Sequence, residues 1–210
     1  TPLTLGIETY GGVFSPLIPR NTTVPVKKTE IFSTGVDGQT GVDIRVYQGE
    51  RGLVRDNKLI GDLKLAGIPP MPKGTPQIHV TFDIDADGII NVSAAEKSSG
   101  KEMSITVIAN SGLTEEEINR MVEEANANKN NDNLIRQRVE LITKADIMIS
   151  DTENAFEKFK DIICLDESYP LVLEKLKEAR AKINHFKEND SDLSLDFNQV
   201  KRETDAVQNM

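Results

Sequence analysis

The sequence predicts an antiparallel β-sandwich followed by an α-helical bundle. Three observations carry this expectation. Segments with a strand-like period of two occupy residues 1–112, clusters of turn-forming residues separate them, and beyond residue 112 apolar residues recur every three or four positions. The chain has 210 residues, 38 % hydrophobic and 28 % charged, enough for a real core. We place two domains at the change of period, 1–112 and 113–210.

The first stretch, LGIETYGGVFSPLIPRNTTVP at 5–25, mixes β-formers with adjacent glycines and three prolines, and its only charges are Glu8 and Arg20. It reads either as core strands and turns or as a surface that receives something apolar and extended. Clearer strands follow at Asp43–Tyr47 (DIRVY), Gln77–Ile84 (QIHVTFDI), Ile89–Ala94 (IINVSA) and Ser104–Ile108 (SITVI), which alternate or run β-branched and aromatic. Turns fall between them at 37–41 (DGQTG), 67–76 (GIPPMPKGTP), 85–88 (DADG) and 98–101 (SSGK). Residues 50–60 (ERGLVRDNKLI) fit a loop with an edge strand. Strands so spaced, with no helical pattern between them, predict a sandwich.

The helical half opens with a capping box, Thr114 and Glu117, in which each side chain satisfies the other's orphan backbone N–H. The acidic first turn suits the positive end of the helix dipole. Ile135, Val139, Ile142, Ala145, Ile149, Thr152, Phe156, Phe159 and Ile163 then mark one face of a long helix. NANKNNDN at 126–133 is a poor helix former, which predicts a bend or fraying there. Pro170 suits the first turn of a second helix, striped by Val172, Leu176, Ala179, Ile183 and Phe186. A third carries Phe197, Val200, Thr204 and Val207.

Composition excludes several functions. Net charge is −9, divided as −1 over residues 1–112 and −8 over 113–210, so no clustered basic footprint exists for nucleic acid. No run approaches the roughly 18–20 apolar residues that span a bilayer. Cys164, the single cysteine, cannot form an internal disulfide, which fits a reducing compartment. NTT at 21–23 and NVS at 91–93 match a glycosylation pattern but read as turn and strand residues. The chain begins at Thr1, as a processed protein or an excised piece of a longer one would.

No catalytic residue or metal site emerges. DIDADG at 83–88 resembles the start of a calcium loop, but position twelve is Ala94 and the flanks read as strands. His79 and His185 lie in different halves without triad or ligand spacing. YGGV and GDLKLAG are too sparse in glycine to cradle phosphate.

TPLTLGIETYGG (1–12), LIPRNTTVP (17–25), FSTGVDGQTGV (32–42), VYQGER (46–51), DNKLIG (56–61), the run GIPPMPKGTPQIHVTFDIDADGIINVSA (67–94) and SGLTEEEI (111–118) strongly resemble one module. It is the substrate-binding region of the 70-kDa heat-shock chaperones, the family of bacterial DnaK. The likeness is nearly unbroken over residues 1–125 and weakens beyond. DGQTG, and DTE followed by FKD within 151–161, look more like the mitochondrial branch, which implies the mitochondrial matrix rather than the cytoplasm.

The resemblance implies a β-sandwich clasping an extended hydrophobic peptide or a segment of an unfolded protein, with a helical lid folded over it. The family's ATPase domain would precede Thr1, so ATP and magnesium, a J-domain co-chaperone and a nucleotide-exchange factor belong to the full-length protein, and this chain should not hydrolyse ATP. Carried over residue by residue, Ile7, Phe32, Val42 and Ile44 line the central pocket, with Thr9 and Val13 beside it. Ser33, Gln39 and the backbone near Thr9 and Gly35 would hydrogen-bond the peptide, and Tyr10 and Gly35 fall where the family builds an arch over it. Because Gly35 has no side chain, Tyr10 supplies that arch almost alone, leaving it lopsided or more open.

A lid latch would join Asp37, Lys73 and Asp146. Many bacterial members carry arginine at the position of Lys73 and histidine at that of Ser150. Lysine lacks the planar fork for bidentate pairing, which predicts faster client release. Arg20 and Pro25 lie in a segment that communicates with the ATPase domain in the family. An exposed apolar groove also invites self-association through it. Two alternatives remain open from the residues alone: a scaffold specific for one folded partner, with the apolar loop residues packed as core, and a nucleotide-exchange relative whose groove is vestigial.

Overall fold

The computed structural model describes residues 1–108, 113–165, 167–189 and 197–208. The chain forms two compact units, Thr1–Lys129 and Asn130–Met210.

The first unit holds eight strands: β1 (Leu5–Thr9), β2 (Val13–Ile18), β3 (Val26–Phe32), β4 (Gly41–Gln48), β5 (Lys58–Ala66), β6 (Ile78–Ile84), β7 (Ile89–Glu96) and β8 (Glu102–Ile108). They make two four-stranded antiparallel sheets, ordered β2-β1-β4-β5 and β3-β6-β7-β8. Alternation builds the core: Ile78, Val80, Phe82 and Ile84 of β6 are buried, with Ile90, Val92 and Ala94 of β7 beside them. Leu5, Ile7, Leu17, Ile18, Ile44, Val46, Leu63 and Leu65 belong to the same core, from β1, β2, β4 and β5 of the other sheet. The opening stretch forms core strands joined by a turn, the first of its two readings. A Cβ on Gly6 would fall 2.1 Å from the Ser15 carbonyl oxygen, so β1 and β2 approach as only glycine permits.

The loop and edge strand expected over 50–60 form as a 3₁₀ turn at Val54–Asp56 and the start of β5 at the sheet edge. DADG is a hairpin turn in which Asp85 Oδ1 accepts the Asp87 and Ile89 N–H groups, both at 2.9 Å. β3 has no sequence signature, because Lys27 through Ile31 are all exposed on an edge strand.

Helix α1 (Glu115–Lys158) starts at the capping box: the Thr114 N–H donates to Glu117 Oε2 at 2.8 Å and the Glu117 N–H to Thr114 Oγ1 at 3.2 Å. It runs unbroken through NANKNNDN, contrary to the expected bend. Each asparagine costs only about 0.5–0.7 kcal/mol of propensity, too little to interrupt a helix nucleated and packed on both sides. A short α2 (Lys160–Ile163) follows, then α3 (Tyr169–Glu188) with Pro170 in its first turn, and α4 (Phe197–Gln208). Ile142, Ala145 and Ile149 of α1 pack with Leu176, Ala179, Ile183 and Phe186 of α3 and Val200 of α4. Phe159 departs from the expected stripe: it lies just past the end of α1 and is exposed. The side chains of Ile163, Phe197, Thr204 and Val207 lie outside the described residues.

Candidate functional site

The site grows from the ends of four strands. β1 delivers Ile7, β3 Phe32, β4 Val42 and β6 Ile78, and together these floor a cavity of about 710 Å³ where the two sheets meet. Ile7 and Ile78 are buried, while Phe32 and Val42 are half-buried against the same core. Two loops wall it. One is the Tyr10–Gly12 turn between β1 and β2, and the other runs from Ser33 to Gln39 between β3 and β4.

Eight of the ten residues expected in the groove line this cavity: Ile7, Thr9, Tyr10, Phe32, Ser33, Gly35, Gln39 and Val42. Val13 and Ile44 do not. Val13 is buried at the start of β2, paired with Thr9 and bridged to Leu53. Ile44 lies one pleat beyond Val42, opposite Leu63 in the core. Ile78 was not foreseen; alternation marks it as inward-facing but not as lying at an open end. Its register partner is Phe32, a pairing that only the folded sheet displays.

The polar groups are largely used within the wall. The Gly35 N–H donates to Gln39 Oε1 at 3.1 Å, and Gln39 Nε2 donates to the Gly41 carbonyl at 2.7 Å. Gln39, expected to bond a peptide, thus braces its own loop. Ser33 Oγ donates to the Pro76 carbonyl at 2.6 Å, which leaves its lone pairs able to accept an N–H. Tyr10 is 52 % exposed, and its ring lies directly over Gly35: a Cβ there would fall 2.0 Å from Tyr10 Cε2. Tyr10 thus spans from its own turn to the opposite loop at Gly35.

Glu8, Asp37 and Asp43 also line the cavity. Glu8 accepts from Arg45 at 3.2 Å and from the Tyr47 hydroxyl at 3.3 Å, and Asp43 pairs with Lys64 at 3.5 Å. Burial, reinforced by Glu8, pushes the Tyr47 phenol up.

Of the three residues expected to form a latch, Asp37 accepts at Oδ1 the Lys73 backbone N–H at 2.8 Å, a bond independent of the side chain at 73. Asp146 belongs to the helical unit, where its carboxylate meets Arg180 and, at 2.8 Å, Lys187 Nζ. Partial burial opposes ionisation of Asp146, but these two cations outweigh it and hold its carboxyl below the usual range. What the cavity can do chemically is hold: an apolar floor sits beneath an aromatic bridge, between loops rich in backbone polar groups.

That combination defines a β-sandwich with an open, apolar-floored cleft, in a chain that continues into helices. The model of the Hsp70 protein family matches residues 1–210, and the chain belongs to that family. It is 72 % identical over 208 residues, 99 % of its length, to the mitochondrial iron-sulfur cluster biogenesis chaperone of Saccharomyces cerevisiae, covering 32 % of that protein. It is 61 % identical over 160 residues, 76 % of its length, to the mitochondrial heat shock protein SSC3 of the same yeast, covering 25 % of that protein. The chain thus spans about a third or less of these relatives, and they place it in the mitochondrial branch of the family.

Proposed function

We propose that this chain is the client-binding module of a mitochondrial chaperone: the sandwich, residues 1–112, holds an extended apolar segment of an unfolded polypeptide, and the helical residues 113–210 act as its lid. The observation that carries this is the cavity floored by Ile7, Phe32, Val42 and Ile78 and bridged by Tyr10. Burying one client leucine there contributes roughly 1.5–3 kcal/mol, and each hydrogen bond to the client backbone about 0.5–1.5 kcal/mol net. Ordering the client offsets part of that, so micromolar affinity, about 8 kcal/mol, suits the module. Recognition by backbone plus one apolar side chain would admit many sequences.

ATP hydrolysis, and the J-domain and exchange-factor partners that serve it, belong in this proposal to a domain outside these residues. The latch of Asp37, Lys73 and Asp146 remains part of the proposal. One relative is named for iron-sulfur cluster biogenesis, and we include proteins of that process among the clients.

The test is fluorescence anisotropy of a labelled heptapeptide with a central leucine. Micromolar binding, lost in Val42→Phe because the larger ring fills the floor, is expected. A folded wild-type chain that ignores such peptides overturns the proposal and returns the scaffold reading.

A further inference from the structure

We infer that the free edge of β3 is an interface between two copies of this chain: the two β3 strands pair antiparallel about Thr29 and join the β3-β6-β7-β8 sheets of both molecules into one. This contact is independent of the client-binding reading.

The edges of the two sheets are not alike. β2 carries Pro16, which has no N–H to offer, and its pairing with β1 shifts register between Leu5 and Gly6. β5 shifts register against β4 between Val46 and Tyr47, and it crowds β8: a Cβ on Gly61 would fall 2.6 Å from Ile105 Cδ1 and 3.1 Å from Val107 Cγ2. β3 has none of these features. Its seven residues pair with β6 from Val26↔Ile84 to Phe32↔Ile78 without a shift, and among the described residues no strand lies along its other side. Lys27 through Ile31 are exposed, Ile31 at 59 %. A regular edge with open backbone N–H and C=O groups is a template for another strand.

The side chains on that edge select which strand. An antiparallel pair related by a two-fold axis sets residue i opposite residue j of the second copy, and j opposite i. Centred on Thr29, the two strands overlap over all seven residues. Lys28 then stands opposite Glu30 of the second copy and Glu30 opposite its Lys28, on the face where Val26 stands opposite Phe32. Thr29 meets Thr29 on the other face, where Lys27 stands opposite Ile31. Lys28 and Glu30 are already neighbours along β3, with Nζ and Oε1 4.0 Å apart, so pairing builds a ring of four alternating charges. Lys27, whose ammonium lies 3.4 Å from Asp83, offers its alkyl stem to Ile31. The neighbouring registers fail: centring on Lys28 or on Glu30 sets like charges face to face and shortens the overlap. The charges that guard β3 against other strands therefore suit its own copy. Because β3 ends at Phe32 in the cavity floor, antiparallel pairing sets two cavities at opposite ends of the joined strands.

Sedimentation velocity of the whole chain over a concentration series is the test, since a contact of this size is weak and its dimer fraction must rise with concentration. Lys28→Glu turns both cross-strand pairs into like-charge pairs and should raise the dimer Kd about tenfold, and Glu30→Lys should do the same. Both side chains are about half exposed, so neither variant disturbs the core. The double exchange, Lys28→Glu with Glu30→Lys, should restore the wild-type Kd. A mixture of the two single variants should associate where neither does alone. A wild-type chain that stays monomeric overturns the interface, as do single variants that dimerise like wild type or a double exchange that leaves Kd raised. Dimers that dissolve in excess leucine heptapeptide would place the contact in the cavity and overturn it too.

Discussion

Glu96 ends β7 almost wholly buried, yet it is ionised, because its carboxylate accepts the Ser98 N–H at 3.0 Å, the Ser99 N–H at 2.7 Å and the Ser98 hydroxyl at 2.9 Å. The Ser99 and Ser98 hydroxyl and amide groups hold its carboxyl at about 2, against the opposing effect of burial. The folded value lies below the 4.5 of a free glutamate, so the stabilisation is full above pH 4.5 and fades as pH falls toward 2. Glu96→Gln should therefore be less stable than wild type at pH 7, with the gap narrowing below pH 4.5 and closing only near pH 2, read from urea midpoints. A gap that does not change with pH would mean that shape, not charge, is what Glu96 supplies. At this scale the sequence is legible where chemistry is local. Thr114 and Glu117 announce their own reciprocal bonds three residues apart, and both bonds form. Ser98 and Ser99 read only as a turn, since nothing in SSGK says that a buried carboxylate two residues earlier will gather its N–H groups. Ile44, Val13 and Ile78 show the same limit from the other side: alternation says which way a side chain faces, and closure of the sandwich decides whether it meets core or cavity.

Between elements, Arg180 of α3 gathers three residues of α1, beside the Lys187–Asp146 pair and the shared apolar core. Arg180 reaches Asp146, Ser150 Oγ at 2.9 Å and Glu153 Oε1 and Oε2 at 3.1 and 2.6 Å, three residues on consecutive turns of α1. Its planar fork fits this arrangement and a lysine's single ammonium does not. Arg180→Ala removes the guanidinium from Glu153 and leaves Asp146 with Lys187 alone, and should lower the stability of the helical unit by about 1–2 kcal/mol, discounted for partial exposure. Arg180→Lys should recover less than half of that. Chemical denaturation followed by helical circular dichroism checks both, and full rescue by lysine would reduce the cluster to a diffuse charge effect. Amphipathic stripes made both helices legible, since Ile142, Ala145 and Ile149 sit at the required spacing and are buried. The cross-helix clasp was not, because Asp146 and Arg180 are 34 residues apart and their meeting depends on packing. β3 was hidden for a different reason: with one strand neighbour and its middle facing water, it has no alternation to show.

Across the whole molecule, among the described residues, one hydrophobic core lies between the sheets and another among α1, α3 and α4, with a small cluster of Phe14, Tyr47 and Val54 in the sandwich. The division falls at Lys129, inside α1 rather than at the change of period near residue 112, since the first turns of that helix cluster with the sandwich. Two cores of this kind predict two cooperative transitions on unfolding, and a single midpoint would then misdescribe the chain. Each transition can be assigned by a cavity mutation. Phe82→Ala in the sandwich should cost about 3–5 kcal/mol and Ile149→Ala in the bundle about 2–5 kcal/mol, each moving one transition. Peptide supplies the functional assignment, because every residue of the cavity floor and bridge lies within Thr1–Lys129. A leucine heptapeptide at a hundred times its Kd should stabilise that unit by about 2.7 kcal/mol and raise its transition alone. Calorimetry with and without peptide reads this directly. If both transitions rise together, the helical unit takes part in holding the client and the lid is energetically coupled to the groove. If only the bundle transition rises, the peptide sits elsewhere and the cavity between the sheets is not its site.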